Sequence, residues 1–273
     1  INNLRQIMLS HGSTAQIIAK VETKAAIEME ALKEIVKAAD GVMIARGDLA
    51  VETSPEIVPI VEREAIRLCR KYGKLSIVAT QMLASMVDNP EPTRTEVSDV
   101  ATAVILGTDV VMLSDETANG SYPVEAVKMM AKTVRYTQSR WPMNDMPIEY
   151  GEKNRRRNAI ANAAVVVANQ VDADVIIAET KSGATAARIA ACRPELPIAA
   201  VTPNKRVAQQ LALSYATRSY VREEGEHVGT KLAKELLDWG TFGRDDKLTA
   251  VVVSGRQSGV AGGTDTLRVR VVE

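Results

Sequence analysis

The chain has 273 residues, and its 34 lysines and arginines are balanced by 34 aspartates and glutamates, so that its formal net charge is zero. This length predicts about two domains. A content of 46% hydrophobic and 25% charged residues is ordinary for a globular protein with a buried core. Balanced charge excludes the basic surface that binds nucleic acid or an anionic membrane. We interpret the one basic cluster, residues 155–157, as a solvated helix face.

Cysteine, histidine and hydropathy patterns exclude further classes. Cys69 and Cys192 lie far apart in predicted helical regions, which argues against a disulfide framework and fits a reducing cytoplasm. His11 and His227 have no second ligand at metal spacing, so zinc is not expected. No apolar stretch could span a bilayer, and no signal peptide is visible. Because the chain begins at Ile1, we expect a processed, excised or partly represented polypeptide.

In the first half of the chain, short apolar runs alternate with stretches of helical spacing. The runs predict strands over 17–21, 41–45, 76–79 and 110–113, and helices are predicted over 25–38, 56–72 and 97–106. Four successive βα units with apolar strands predict a parallel sheet covered on both faces. Each run ends in polar residues, and in such folds the carboxyl ends of the strands carry the chemistry.

The second half predicts another α/β domain. Periodicity is lost over 141–157, which predicts a boundary between domains spanning 1–142 and 143–273. Beyond it, strands are predicted over 175–178, 198–201, 248–254 and 266–272, with helices over 157–171, 184–191, 206–213 and 228–239. The last two strands, joined by the glycine-rich segment 255–263, predict a hairpin-like pair and hence a mixed sheet whose strand order is not readable.

The segment 45–49, Ala-Arg-Gly-Asp-Leu, is the most informative one. It follows a predicted buried strand and offers a carboxylate beside open backbone N–H groups. Magnesium prefers oxygen ligands and keeps substrate oxygens in its shell, so this segment could hold a metal and an anion together. A simple turn is the alternative.

Two neighbouring strand ends add to this segment. Lys20 and Glu22 are two positions apart on a strand and therefore point to one face. They could form an ordinary ion pair. Asp48 and Thr80 follow the next two strands, however. The carboxyl ends of three adjacent strands would then bring together a lysine, two carboxylates and a hydroxyl. This set suits Mg²⁺ or Mn²⁺, with the lysine over phosphoryl oxygens or an enolate.

Several segments resemble the pyruvate kinase family in order and spacing. They are 18–22 (Ile-Ala-Lys-Val-Glu), 45–49, 79–83 (Ala-Thr-Gln-Met-Leu), 92–96 (Pro-Thr-Arg-Thr-Glu), 98–101 (Ser-Asp-Val-Ala) and 112–118 (Met-Leu-Ser-Asp-Glu-Thr-Ala). The match continues through 180–183 (Thr-Lys-Ser-Gly) to the end, so the resemblance covers essentially the whole chain.

The resemblance implies phosphoryl transfer from phosphoenolpyruvate to ADP, giving pyruvate and ATP in glycolysis. It implies that Glu22 and Asp48 bind Mg²⁺ or Mn²⁺, and that Lys20 stabilises charge on the phosphoryl group and the enolate oxygen. The N–H groups of Gly47 and Asp48, with the Thr80 hydroxyl, would hold the substrate carboxylate. Thr80 would also belong to the proton path from enolate to pyruvate.

The resemblance further implies the last four βα units of a TIM (β/α)8 barrel, followed by an α/β domain with a mixed sheet. The first four units, a lid domain, the phosphoryl-transfer arginine and the K⁺ ligands would lie outside this chain. The segment alone is therefore expected to be inactive, and the complete protein to be a cytoplasmic homotetramer. Ala50 and Asp115 stand where the family usually has glycine. Ala50 could shift the loop carrying Asp48, and Asp115 could weaken phosphate binding or simply point to water.

A second candidate site lies between a strand and a helix of the second domain. Thr180, Lys181, Ser182 and Thr185 offer hydroxyls, a cation and free amides, which suit a phosphate group. A simple helix cap is the alternative. The stretch resembles the family's allosteric sugar-phosphate loop, over which segment 255–263 would close.

Two other functions use the same residues. A magnesium-dependent carbon–carbon lyase acting on pyruvate-like substrates would place Glu22 and Asp48 on the metal. A non-catalytic effector-binding or assembly module would need only residues 157–273.

Overall fold

The computed structural model describes residues 1–141, 155–242, 246–255 and 264–273, and the chain divides into two compact units, Ile1–Asp145 and Met146–Glu273. The boundary predicted after residue 142 falls outside the described ranges. No helix in those ranges is long and apolar enough to cross a membrane. Cys69 and Cys192 are both buried, and neither forms a disulfide with another described residue.

The first unit is built on a four-stranded sheet. Its elements are α1 Asn2–Ser10, β1 Ile18–Val21, a 3-10 turn Lys24–Ile27, α2 Met29–Ala38, β2 Gly41–Ala45, α3 Arg46–Glu52, α4 Val58–Tyr72, β3 Leu75–Ala79, a 3-10 turn Ala84–Val87, α5 Arg94–Leu106, β4 Val110–Met112, α6 Asp115–Ala118 and α7 Pro123–Arg140. The strand order is β1-β2-β3-β4 and every pair is parallel, as predicted.

The strand register fixes where the site forms. Val21 lies beside Ile44, and Ala45 beside Ala79, so that β1, β2 and β3 end at one edge of the sheet. Apolar strand residues pack against one face of each covering helix, whose buried residues recur three or four positions apart. The core residues that set this packing are Val21, Val42, Ile44, Val78, Leu32, Val36, Ala65, Ile66, Cys69, Val100 and Ala103.

Helix boundaries in the first unit differ from the predicted ones. The helix predicted over 25–38 is divided, because Glu28 has an extended backbone (φ −56°, ψ 130°) between the 3-10 turn and α2. The helix predicted from 97 begins at Arg94, because Thr93 and Glu96 form a capping box. The segment after β2, considered as a turn, is the short helix α3. No bounds were predicted for helices α1, α6 and α7.

The second unit contains a five-stranded mixed sheet. Its elements are α8 Arg155–Gln170, β5 Val175–Glu179, α9 Ala184–Ala191, β6 Ile198–Thr202, α10 Lys205–Gln210, a 3-10 turn Leu211–Leu213, β7 Thr217–Val221, α11 Val228–Asp238, β8 Leu248–Gly255 and β9 Thr264–Val272. The order is β7-β6-β5-β8-β9, with β8 and β9 antiparallel and the other pairs parallel. The mixed sheet and the final strand pair are thus confirmed, and Arg155, Arg156 and Arg157 are exposed as expected.

One strand of this sheet was missed. β7, with the sequence Thr-Arg-Ser-Tyr-Val, lies at the sheet edge and exposes Arg218 and Val221. An edge strand exposed in this way carries no continuous apolar run, so its sequence lacks the signal that revealed β5 and β6.

Glu96 ties the loop after β3 to the start of α5. Its carboxylate accepts hydrogen bonds from Ser85 N (2.7 Å), Ser85 Oγ (2.6 Å) and Thr93 N (2.7 Å). Burial opposes ionisation of this carboxyl group, but the hydrogen bonds from Ser85 and Thr93 outweigh burial and lower the pKa of Glu96.

We therefore predict that Glu96→Gln lowers the free energy of unfolding at neutral pH by about 1 kcal/mol, because the amide loses charge-assisted hydrogen bonds and the capping box. A lowered folded-state pKa stabilises the protein above the unfolded-state pKa, and this contribution disappears as pH falls through the folded-state value. Urea unfolding should therefore show a difference in the free energy of unfolding between the Glu96→Gln variant and the unchanged protein near pH 7, and this difference should shrink toward acidic pH. A difference in the free energy of unfolding that does not change with pH would contradict this role of the carboxylate.

Candidate metal- and anion-binding site

The five residues predicted at the strand ends form one connected cluster. Lys20 Nζ lies 2.5 Å from Glu22 Oε2 and 3.7 Å from Asp48 Oδ2, so the cation links the ends of β1 and β2. The N–H of Gly47 donates to Thr80 Oγ1 at 2.9 Å, which links β2 to β3. The ion pair considered as an alternative for Lys20 and Glu22 does form, as part of this larger cluster.

Lys20 remains a cation in these surroundings. The close contact with Glu22 raises its pKa against a small opposing effect of desolvation, and the charges of Glu22 and Asp48 raise it further. About half of its side chain is exposed (51%), so the ammonium faces the solvent side of the strand ends. An anion arriving at this edge therefore meets a positive charge already held in place.

The carboxylates fit a divalent cation. Apart from the ion pair with Lys20, the buried atom Glu22 Oε2 accepts no hydrogen bond from the described residues. This oxygen already faces the positive charge of Lys20 and accepts nothing else from the described residues, which suits an atom that could also coordinate a divalent cation. Within the described ranges, no group of three or more Asp, Glu, His or Cys side chains is arranged to hold a metal. A cation held by Glu22 and Asp48 would therefore need further ligands from substrate or water.

Gly47 and Asp48 lie in the first turn of α3, directly after β2. A Cβ atom at Gly47 would stand 3.4 Å from Thr80 Oγ1, so glycine allows the close approach of α3 to the β3 end. The Asp48 side chain is 62% exposed beside Lys20. Ala50 lies inside α3 and packs against the core, so the expected effect of its φ angle does not arise.

Thr80 and Gln81, which follow β3, form a strained stretch of backbone that the sequence did not predict, and we call it the Thr80–Gln81 corner. Thr80 and Gln81 have φ angles of +69° and +54°, in the left-handed region that non-glycine residues seldom adopt. The guanidinium of Arg46 donates to the carbonyl oxygens of both residues, at 3.3 and 2.9 Å. Arg46 is the second residue of segment 45–49, but its position in the sequence did not indicate its contacts with Thr80 and Gln81.

Glu116 supports the same loop from the β4 side. It is buried, and its carboxylate accepts the N–H groups of Leu83 (3.0 Å) and Ser114 (2.7 Å). The neighbouring Asp115 is exposed and accepts a hydrogen bond from Asn119 Nδ2 (3.1 Å), so it points to water, one of the two outcomes considered for it.

The candidate phosphate loop of the second unit lies between β5 and α9. Thr180 and Thr185 are buried, whereas Lys181 and Ser182 are exposed. The residue before α9 is Gly183, with a φ of +82° and no side-chain capping bond, so the loop is not the serine or threonine cap considered as an alternative. Lys181 Nζ lies 2.8 Å from Glu224 Oε1, a carboxylate that the sequence did not associate with this loop. Segment 256–263, expected to close over the loop, is outside the described residues.

Each of the two units matches a different protein-family model. Residues 1–127 match the family model described as pyruvate kinase, barrel domain, and residues 158–270 match the one described as pyruvate kinase, alpha/beta domain. A protein from Clostridium acetobutylicum named pyruvate kinase is 37% identical over 268 residues, covering 96% of this chain and 56% of the relative.

Two further relatives give the same result. A Synechocystis protein named pyruvate kinase 2 is 39% identical over 277 residues, covering all of this chain and 46% of the relative. An Agrobacterium vitis pyruvate kinase is 41% identical over 266 residues, covering 94% of the chain and 54% of the relative. The chain thus spans about half the length of the curated relatives it matches.

Proposed function

This chain belongs to the pyruvate kinase family, and from that premise we propose that it takes part in transferring the phosphoryl group of phosphoenolpyruvate to ADP, giving pyruvate and ATP. The observation that carries the proposal is the Lys20 ammonium held between the carboxylates of Glu22 and Asp48. The alternative of a carbon–carbon lyase has no comparable support, since both family models that match are those of pyruvate kinase.

The four strands of the first unit would be the last four βα units of a TIM barrel. Within the described residues, β1 and β4 each pair on one side only, and a closed barrel leaves no such edges. The chain also spans 46–58% of several relatives' lengths. The first four units, the lid domain, the phosphoryl-transfer arginine and the K⁺ ligands would come from polypeptide outside these 273 residues.

Glu22 and Asp48 would hold the divalent cation, Mg²⁺ or Mn²⁺. When bound, such a cation neutralises charge on the phosphoryl oxygens and orients the substrate. The buried Glu22 Oε2, which accepts nothing from the described residues beyond its ion pair with Lys20, supports this assignment, and so does the approach of both carboxylates to Lys20. Two protein carboxylates leave the remaining coordination positions to the substrate and water.

The chain's own groups would then position the substrate. The N–H groups of Gly47 and Asp48 and the hydroxyl of Thr80 would bind the carboxylate of phosphoenolpyruvate, with the Gly47 N–H exchanging its bond to Thr80 Oγ1 for one to the substrate. Lys20, kept protonated by its neighbours, would stabilise negative charge on the phosphoryl group and on the enolate oxygen. Thr80 would take part in delivering the proton that converts the enolate into pyruvate. Catalysis by positioning and charge neutralisation is what phosphoryl transfer requires.

The test of this function compares the isolated chain with a completed barrel. Alone, the chain should not turn over phosphoenolpyruvate and ADP. Fused behind the corresponding first half of the Clostridium acetobutylicum relative, it should produce pyruvate. In that fusion, Lys20→Met and Glu22→Gln should each lower kcat by at least about 100-fold, because charge stabilisation at the reacting group is lost.

Glu30→Gln provides the matched control, since Glu30 is an exposed carboxylate of the same unit whose side chain pairs with Lys33. Its kcat should equal that of the unchanged fusion. Full activity of the Lys20→Met fusion would refute the proposal, whereas turnover by the isolated chain would refute only the expectation that the first half of the barrel is required.

The second unit would bind a phosphorylated effector and take part in assembly of a homotetramer. The loop of Thr180, Lys181, Ser182 and Thr185 would receive the phosphate. The ion pair of Lys181 with Glu224 places a competing carboxylate at this loop, so an arriving phosphate must displace Glu224.

We predict that replacing Thr180 and Ser182 by alanine in the active fusion abolishes activation by a sugar phosphate. Glu224→Gln should instead tighten sugar-phosphate binding by about threefold, a modest gain because both partners are exposed. Glu273→Gln, which removes the exposed partner of Lys247, should leave the affinity unchanged. Calorimetric titration measures these affinities, and unaltered activation of the double alanine variant would exclude the site.

A further inference from the structure

The side chain of Arg46 is more buried than those of Lys20, Glu22 and Asp48. Only 11% of its side chain is exposed. Its Nε and Nη2 atoms donate to Thr80 O at 3.4 and 3.3 Å, and Nη2 also donates to Gln81 O at 2.9 Å. Its Nη1 donates to Asp99 Oδ2 at 3.2 Å. One guanidinium thus joins the ends of β2 and β3 to helix α5.

The two carbonyl groups that Arg46 binds belong to the two left-handed residues of the corner, Thr80 and Gln81. Such a backbone conformation persists only where the surroundings hold it. Hydrogen bonds from a charged donor are stronger than those from a neutral donor. Arg46 donates such bonds to the carbonyl oxygens of both left-handed residues. The corner in turn sets the position of Thr80 Oγ1, which accepts the Gly47 N–H.

We infer that Arg46 is a positioning residue that holds the Thr80–Gln81 corner in its left-handed conformation and thereby places the Thr80 hydroxyl and the Gly47 amide for the substrate. Arg46 itself does not touch the substrate in this account. The catalytic consequence rests on the proposed function, whereas the conformational consequence does not depend on it.

An arginine is required at this position because of its shape. Its planar guanidinium presents five N–H donors in a fixed fork, which reaches two carbonyl oxygens and a carboxylate at once. A lysine ammonium could satisfy one of these acceptors, but it cannot span Thr80, Gln81 and Asp99 together. Arg46→Lys therefore keeps the charge and loses the geometry.

Arg46 also compensates the charge of the buried Glu62 carboxylate. A test of the inference must separate this contribution to stability from the effect of Arg46 on the Thr80–Gln81 corner. Glu62 is 5% exposed, and its Oε2 lies 3.7 Å from Arg46 Nη1. Burial raises the pKa of Glu62, while the charge of Arg46 opposes this shift. Removing Arg46 alone would leave Glu62 without its counter-charge and destabilise the fold for a reason unrelated to the corner.

The test therefore compares Glu62→Gln with the double variant Arg46→Met/Glu62→Gln in the active fusion. Glu62→Gln should leave kcat unchanged. In the double variant the melting temperature should stay close to that of Glu62→Gln, while kcat falls about 100-fold and KM for phosphoenolpyruvate rises, because the substrate-binding groups are misplaced. Arg46→Lys should lose activity at nearly unchanged stability. A double variant as active as Glu62→Gln would overturn the inference.

Amide hydrogen exchange of the 273-residue chain gives a second measurement that needs no activity. The Gly47 amide should exchange about tenfold faster in the double variant than in Glu62→Gln, because its acceptor Thr80 Oγ1 is displaced. The Ser76 amide, which donates to Asp109 Oδ2 at 3.0 Å, serves as the control and should not change. Unchanged Gly47 exchange would overturn the inference. A fusion without kinase activity, but with accelerated Gly47 exchange, would instead refute only the proposed function.

Discussion

The charge of Lys20, held between Glu22 and Asp48, is the interaction on which the rest of the site depends. Two carboxylates brought to one edge of a sheet repel each other, and a cation placed between them relieves this repulsion while both stay ionised. The parallel register of β1 and β2 puts Lys20 in that place, 2.5 and 3.7 Å from the two groups. Under the proposed function, the same arrangement would supply both oxygen ligands for a metal and a positive charge facing an anionic substrate.

The groups around this cluster are held by charged residues that do not react. Arg46 binds the carbonyl groups of the left-handed corner from one side, and Glu116 binds the Leu83 and Ser114 amides from the other. A strained loop end would otherwise relax toward ordinary backbone angles. The candidate site thus combines the strand-end cluster with supporting side chains that join neighbouring loops. The apolar sheet beneath them provides the fixed spacing.

Patterns among neighbouring residues predicted most strands and the Lys20–Glu22 pair. Contacts between residues far apart in the sequence were not predicted. Apolar runs revealed eight of the nine strands found in the described residues, but not the exposed edge strand β7. Alternation along one strand paired Lys20 with Glu22. The contacts of Arg46 with Thr80, of Glu116 with Leu83 and of Lys181 with Glu224 join residues 33 to 43 positions apart, so no spacing rule exposes them. The helical start at Arg46 was also missed, because a Gly-Asp pair after a strand is typical of a turn.

The most direct measurement of the central claim is Mn²⁺ binding to the isolated chain in the presence of oxalate, a small dianion that offers carboxylate oxygens to both metal and protein. Electron paramagnetic resonance should detect bound Mn²⁺ that depends on oxalate, and Glu22→Gln or Asp48→Asn should each remove this signal. Glu30→Gln should preserve it. Mn²⁺ binding that is unaffected by changes at Glu22 and Asp48 would contradict the assignment of this cluster as the metal- and anion-binding site.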